Sequence, residues 1–196
     1  MSAAREEFIE LYEKYITREG SKELLKWLMQ SDFFTAPAST KFHSAYEGGL
    51  CEHSVKVYKR YLNMIKAEYG ENYATVLSDE SIAIIALLHD VCKVNCYKVD
   101  YRNVKDETGT WVKQPYYAFE EDLPYGHGEK SVYIINGFLR LTREEAIAIN
   151  WHMGGFDMRA KSGSSTYANA FYKFPVACLF HVADTLTTYL DESVSK

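Results

Sequence analysis

Histidine and aspartate side chains dispersed along this chain are of the types that ligate metal ions. The set comprises His53, His89, Asp90, His127, His152 and Asp184. Imidazole nitrogen and carboxylate oxygen are donors that divalent Fe, Mn, Zn, Co and Ni accept, whereas Mg and Ca prefer oxygen donors alone. Four imidazoles and two carboxylates suffice for two open sites, so we expect two divalent transition-metal ions as cofactors.

The adjacent pair His89 and Asp90 has a geometric advantage within this set. Neighbouring residues on a helix point about 100° apart. The pair can therefore bind one ion while the carboxylate of Asp90 also contacts a second ion. We predict that Asp90 bridges the two metal ions.

Two of the segments that carry these residues have clear helical patterns. Residues 79–88 begin with two acidic residues and are nearly all apolar afterwards, which indicates a buried helix with His89 and Asp90 at its far end. His53 lies early in a long amphipathic pattern that predicts another helix. Rigid elements would thus hold three of the predicted ligands.

The later ligands also lie on or beside predicted helices. His127 precedes an apolar stretch, and a capping box at residues 142–145 predicts a helix that extends past His152. A last helix over residues 176–190 carries Asp184. We therefore expect elements that are far apart in the sequence to meet around the metal ions.

Any one of these residues alone is better explained as a hydrogen-bonded core side chain or a cap. When the six residues are considered together, metal binding becomes the better explanation. So many ionisable groups near apolar helix faces would each cost several kcal/mol without a compensating charge, and two cations would satisfy them jointly.

The order of these residues resembles the HD-domain metal-dependent phosphohydrolase superfamily, in its two-metal type with extra histidines. The resemblance covers roughly residues 41–190. Residues 46–54 are similar to the family's Gly-Gly-Leu-x-Glu-His-Ser motif, and residues 87–93 to its His-Asp-x-x-Lys signature. Within the superfamily, the pattern is most similar to the HD domain of certain bacterial 3'-to-5' exoribonucleases.

The resemblance implies a fold, a ligand arrangement and a reaction. The fold would be mainly α, an HD-domain-like helical bundle. One ion would be surrounded by His53, His89, Asp90 and Asp184, and the other by Asp90, His127 and His152. The reaction would be cleavage of a phosphoester of a nucleotide, oligonucleotide or related small phosphate by a metal-bound hydroxide.

Four further side chains are candidates for binding the substrate. Lys93, three residues after Asp90, could reach a phosphate oxygen and stabilise transition-state charge, although a surface lysine at a helix end is the alternative. His43 could bind substrate or donate a proton to the leaving group, or be a plain loop histidine. Lys130 and Arg159 are the other candidates for phosphate binding.

The remaining secondary structure is predicted from the alternation of apolar and polar residues and from residues that favour turns. Residues 97–119 predict a small β-hairpin inserted into an otherwise helical domain, with its turn at residues 106–109. Its aromatic side chains and Arg102 could form one wall of the substrate pocket. We expect residues 1–40 to hold N-terminal helices packed on a single HD-type domain over residues 1–196.

The composition and net charge of the chain limit the classes of partner that it can bind. The chain has 196 residues, 47% of them hydrophobic, and a net charge of -5. We expect a phosphorylated small molecule or nucleotide as the partner. The negative net charge and the lack of a visible basic stripe give nucleic acid only weak support, but a short single strand could still enter a small positive pocket. No signal-peptide pattern or long apolar stretch is present, so we expect a cytoplasmic protein without a membrane partner. The sequence leaves the oligomeric state open.

The four cysteines, Cys51, Cys92, Cys96 and Cys178, form no Cys-x-x-Cys pair. Their scatter predicts reduced, buried thiols and disfavours a structural zinc site built from all four.

Two other functions remain open from the sequence. The same order of ligands would suit a di-iron oxygenase of the inositol-oxygenase type, and an oxygen-dependent reaction would distinguish it from a hydrolase. A nucleotide-binding sensor without turnover is the other alternative, and loss of a hydrolytic activity in Asp90→Ala would exclude it.

Overall fold

A helix that is apolar on every side, α5 (Asp79–Leu88), lies at the centre of the computed structural model, which describes residues 2–192. Each side chain from Ile82 to Leu88 is fully buried. The hydroxyl of Ser78 accepts a hydrogen bond from the backbone N–H of Ser81 and caps the first turn. A helix of this composition is stable only inside a core, so the neighbouring elements must cover it.

The elements around α5 confirm the predicted mainly α fold with one inserted hairpin. The helices α1, α3 and α7 contact α5, and α10 contacts α3 and α7. Besides α5, the helices are α1 (Ala3–Tyr15), α2 (Ser21–Gln30), α3 (Gly49–Tyr69), α4 (Tyr73–Val76), α6 (His127–Asn136), α7 (Arg143–Asn150), α8 (Met158–Lys161), α9 (Thr166–Lys173) and α10 (Pro175–Leu186). Short 3-10 turns occupy Gly70–Asn72, Val91–Lys93 and Gly154–Phe156.

The hairpin consists of β1 (Tyr97–Lys105) and β2 (Trp111–Phe119), paired antiparallel from Tyr97 opposite Phe119 to Lys105 opposite Trp111. Its turn is held by the carboxylate of Asp106, which accepts hydrogen bonds from the backbone N–H groups of Thr108 and Thr110. Gly109 adopts a φ of 82°, a value that disfavours a side chain. The turn residues noted in the sequence therefore form the turn.

Two helix ends differ from the prediction. Helix α7 ends at Asn150, so His152 lies in the turn that follows it and not within the helix. Helix α10 ends at Leu186 and continues as a π-helical turn, Thr187–Asp191. The hydroxyl of Thr187 donates to the carbonyl of Ala183 at 2.9 Å, a local bond of the kind that distorts helices.

Arg18, between α1 and α2, ties the N-terminal helices to the rest of the fold. Its guanidinium donates to both carboxylate oxygens of Glu145, each at 2.8 Å. The carboxylate of Glu80 accepts hydrogen bonds from the backbone N–H groups of Thr17 and Arg18, at 2.7 and 3.0 Å. Glu145 also completes the predicted capping box of α7 with Thr142. Residues before α3 are thus bound to two later helices.

A single domain over residues 1–196 stays a prediction. Residue 1 and residues 193–196 lie outside the described residues. Within residues 2–192, every helix is too short or too polar to cross a membrane.

Replacing Glu145 with alanine is expected to lower the free energy of unfolding by about 3 kcal/mol, because it leaves the guanidinium of Arg18 without its buried partner and removes a cap. Urea denaturation followed by circular dichroism measures the change. The matched control is Glu144→Ala, an exposed neighbour that should change stability by less than about 0.5 kcal/mol. Equal stability of the two variants would contradict the role given to Glu145.

Candidate metal centre

The carboxylate of Asp90 lies between two pairs of imidazole rings. Its Oδ2 is 3.7 Å from Nε2 of His53 and 3.5 Å from Nε2 of His89. Its Oδ1 is 2.9 Å from Nε2 of His127 and 3.6 Å from Nε2 of His152. Each oxygen of one carboxylate therefore faces its own pair of nitrogen donors.

Asp184 completes the cluster on the Oδ2 side. Its Oδ1 is 3.2 Å from Nε2 of His53 and 4.0 Å from Nε2 of His89. The structure thus brings all six predicted ligands together. Most of them are inaccessible to solvent, but the side chain of His127 is 32% exposed. The cluster therefore opens to solvent on the side of His127.

The tautomers of two rings follow from their backbone contacts. Nδ1 of His89 is 2.9 Å from the carbonyl oxygen of Ala86, and Nδ1 of His152 is 2.7 Å from that of Ile149. A carbonyl can only accept, so each Nδ1 carries the hydrogen. When a ring is neutral, its Nε2 then holds a lone pair that faces the carboxylate of Asp90.

These lone pairs show that the site suits a cation. Among residues 2–192, Nε2 of His89 and Nε2 of His152 are buried without a hydrogen-bond partner. Carboxylate oxygen is also an acceptor, so the facing atoms repel one another unless positive charge lies between them. A metal ion bound by both kinds of donor removes the conflict. The buried histidine and aspartate groups can therefore hold metal ions.

Glu192, which the sequence analysis missed, lies behind His53. Its Oε2 is 3.0 Å from Nδ1 of His53, and its side chain is fully buried. A carboxylate in this position fixes the ring orientation and strengthens Nε2 as a donor. The only sequence signal was an acidic residue eight positions after Asp184, and the neighbouring Asp191, which pairs with Arg60 at the surface, fits that signal almost equally well.

The charges of the cluster shift its pKa values in different directions. Burial alone would lower the pKa of His53, but the hydrogen bonds that His53 donates to Asp184 and Glu192, and the charges of these carboxylates, outweigh burial and raise that pKa to about 9. Burial lowers the pKa of His89 to about 3, so this ring is neutral. A metal ion would therefore compete with a proton at His53 and meet a free donor at His89.

The two aspartates are held as anions. Burial would raise the pKa of Asp90, but the charge of Lys93 and a hydrogen bond from His127 keep it well below its ordinary value. The pKa of Asp184 is likewise lowered, because a hydrogen bond from His53 outweighs burial. Both carboxylates are ionised at neutral pH, which is the state that binds metal.

Close backbone contacts hold the two sides of the cluster in place. A Cβ atom on Gly128 would lie 2.3 Å from the carbonyl oxygen of Asn150, so the start of α6 rests directly on the end of α7. This contact keeps the rings of His127 and His152 together, with centroids 5.1 Å apart. Only glycine permits so close an approach.

Two of the predicted substrate-binding residues lie at the cluster. Nζ of Lys93 is 2.6 Å from Oδ2 of Asp90, and the side chain is only 12% exposed, so it is not a surface lysine. The ring of His43 has its centroid 5.0 Å from that of His53. Both side chains are therefore close enough to act beside bound metal ions.

The other two predicted substrate-binding residues are bound elsewhere. Nζ of Lys130 contacts Oε1 of Glu121 at 2.5 Å. The guanidinium of Arg159 is paired with Asp157 at 2.9 Å and Glu129 at 2.6 Å. Phosphate binding by Lys130 and Arg159 stays a prediction, and each cation would first have to leave a carboxylate partner.

Comparison with curated proteins gives one partial relative. The dihydroneopterin 2',3'-cyclic phosphate phosphodiesterase of Methanocaldococcus jannaschii is 38% identical to this chain over 76 residues. The match spans 39% of the chain and 28% of the relative. No family model matches the chain, and the comparison with solved structures found no match. Over part of its length, the chain is thus similar to an enzyme named as a phosphodiesterase.

Replacing Glu192 with glutamine is expected to weaken metal binding roughly 10- to 100-fold, because His53 loses the anion that orients and polarises its ring. Titration of the metal-free protein against a competing chelator measures this affinity. The matched control is Asp191→Asn, which removes the same charge from the adjacent surface position. Equal losses in both variants would show that only overall charge matters.

Proposed function

We propose that this protein is a metal-dependent phosphohydrolase of the HD superfamily that cleaves a phosphoester of a small nucleotide-like molecule. The observation that carries the proposal is the Asp90 carboxylate between the unpartnered Nε2 atoms of His89 and His152. The partial similarity to a phosphodiesterase supports the same reaction class. Clustered nitrogen and oxygen donors of this kind are typical of metal-assisted hydrolysis.

The donors divide naturally into two groups that share Asp90. One group would hold an ion through His53, His89, Asp90 and Asp184, and the other through Asp90, His127 and His152. When bound, such ions supply positive charge for phosphoryl oxygens and lower the pKa of coordinated water, so that a nucleophile is available near neutral pH.

Lys93 is suited to stabilising negative charge on the substrate. Burial would lower its pKa, but the charge of Asp90 outweighs burial and holds that pKa above the ordinary value. The ammonium group is therefore positive at neutral pH and lies 2.6 Å from the shared carboxylate. Once metal ions neutralise Asp90, this group is free to contact a phosphate oxygen in the transition state.

His43 is better suited to binding the substrate than to protonating the leaving group. Burial lowers the pKa of His43 to about 4, so the ring is neutral near pH 7. Its Nε2 is buried without a hydrogen-bond partner among the described residues. A neutral imidazole in this position can hydrogen-bond to a substrate oxygen at the edge of the cluster.

A cavity lined partly by the loop that carries His43 is suited to the organic part of the substrate. It lies between the loop before α3 and the hairpin, has a volume of about 340 Å³, and includes Lys41 and Ala45, which flank His43. The hairpin contributes Tyr116 and Arg102, with the guanidinium 5.6 Å from the ring centroid. Aromatic and cationic groups together favour a heterocycle that carries phosphate.

The choice of substrates to test follows from the cavity and from the relative. The relative is named for a pterin 2',3'-cyclic phosphate, so cyclic phosphodiesters of nucleosides and pterins are our first choice. Short RNA is the second choice, because the sequence resembles exoribonuclease HD domains. A net charge of -5 favours small substrates over long nucleic acids.

The purified protein should hydrolyse at least one of these phosphodiesters when Mn, Fe, Co, Ni or Zn is added, whereas Asp90→Asn should fall to the level of the buffer blank. Phosphate or monoester release measures the activity, and elemental analysis measures the bound metal. Substrate-dependent oxygen consumption by the iron form without hydrolysis would favour a di-iron oxygenase. Nucleotide binding without turnover under every metal would favour a sensor.

Replacing Lys93 with methionine is expected to lower kcat roughly 10²- to 10³-fold with a smaller change in KM, because a positive charge is lost that acts mainly in the transition state. Steady-state kinetics with elemental analysis measures both catalysis and metal retention. Lys59→Met, at an exposed lysine paired with Glu7, is the control. An unchanged kcat at full metal content would contradict the role of Lys93.

A further inference from the structure

A thiol lies beside one of the two donor groups. Sγ of Cys92 is 3.5 Å from Nδ1 and 3.6 Å from Nε2 of His127. Asp90, Cys92 and His127 each offer one donor atom, and these three atoms lie within 4.8 Å of one another. Cys92 is 3% exposed, and its backbone N–H donates to the hydroxyl of Ser131. The sulfur is therefore fixed beside the cluster and does not lie on the surface.

The separation of sulfur and nitrogen fits a shared ion. On a tetrahedral ion with a sulfur ligand at about 2.3 Å and a nitrogen ligand at about 2.0 Å, the two donor atoms lie roughly 3.5 Å apart. The separation between Sγ of Cys92 and Nε2 of His127 is 3.6 Å. Sγ is almost equally far from both ring nitrogens and so lies over the face of the ring, and the ring of His127 must therefore turn about its side-chain bonds for one ion to contact both Sγ and Nε2.

A second observation points to a ligand at the same place. Nε2 of His152 is 3.6 Å from Oδ1 of Asp90, the oxygen that also faces His127. This nitrogen is buried and has no hydrogen-bond partner among the described residues. His152 is therefore a further donor beside the three that Asp90, Cys92 and His127 provide.

The other cysteines have different contacts. Sγ of Cys96 accepts from Nζ of Lys130 at 3.2 Å and donates to the carbonyl of Cys92 at 3.3 Å. Sγ of Cys51 lies 3.6 Å from the carbonyl oxygen of Ala4. The metal-ligand groups found among residues 2–192 include Cys92 but neither Cys51 nor Cys96.

We propose that Cys92 is a thiolate ligand of a metal ion held by Asp90, His127 and His152. The inference rests on metal binding at this centre and does not depend on which reaction the centre performs. On binding, the metal–sulfur bond replaces the S–H bond, and one proton leaves to the solvent. No oxidant or reductant takes part.

A thiolate makes the two sides of Asp90 unequal. The side with His53, His89 and Asp184 offers nitrogen and oxygen donors, whereas the side with His127 adds a soft sulfur donor. Thiolate ligands favour zinc, iron and cobalt over manganese and magnesium. The sulfur-containing side would therefore select the softer ion and give the centre a mixed metal preference.

Cobalt substitution tests the proposal through a signal that does not require turnover. The full chain is stripped of metal, reconstituted with Co(II) without oxygen, and examined by absorption spectroscopy. Visible ligand-field bands report that cobalt is bound, and a near-ultraviolet charge-transfer band reports a cobalt–thiolate bond. We expect both signals in the wild type and in Cys96→Ser, and only the visible bands in Cys92→Ser.

A measurement on the wild type tests the proposal even if the Cys92→Ser variant misfolds. X-ray absorption of the zinc-loaded wild type should show one sulfur neighbour at about 2.3 Å. In addition, Cys92→Ser should reduce the preference for zinc over manganese by roughly tenfold or more. Visible cobalt bands without the thiolate band, together with a zinc shell of nitrogen and oxygen only, would overturn the role of Cys92. Failure to bind any metal would overturn the metal centre itself.

Discussion

The buried negative charge of Asp90 is the constraint on which the arrangement of this protein depends. An unpaired carboxylate inside a core costs several kcal/mol, and that cost falls only when positive charge is brought beside it. Lys93 and the protonated His53 supply part of this charge within the described residues. The unpartnered nitrogens of His89 and His152 show where further positive charge belongs.

The fold keeps this polar centre at the end of its most apolar helix. Burial of α5 (Asp79–Leu88) fixes where the chain emerges from the core, and His89 and Asp90 follow at that point. Hydrophobic burial therefore provides the free energy that holds a costly cluster together. The glycine contact between α6 (His127–Asn136) and α7 (Arg143–Asn150) then sets the spacing of two rings.

The two oxygens of Asp90 face chemically different surroundings. On the Oδ2 side, the carboxylate of Glu192 supports His53 from behind. On the Oδ1 side, the sulfur of Cys92 lies beside His127, whose ring is partly exposed to solvent. His127 is thus the most exposed of the six candidate ligands, whereas Lys93 and His43 lie on the Oδ2 side.

Local patterns in the sequence were sufficient for much of the architecture. The apolar run of α5 (Asp79–Leu88), the capping box at residues 142–145 and the turn at residues 106–109 each depend on neighbouring residues, and the structure confirms them. The types and order of the six candidate ligands could also be identified from the sequence, because few other groups bind transition metals. Whether these residues are ligands stays a prediction.

Tertiary structure alone decided which further side chains join the cluster and which do not. Glu192 lies behind His53, although 139 positions separate them, and Cys92 lies beside His127, 35 positions later. Lys130 and Arg159 are instead paired with carboxylates. Periodicity and capping record contacts within a few residues, whereas these pairings depend on how distant helices pack, for which a single sequence carries no local signal.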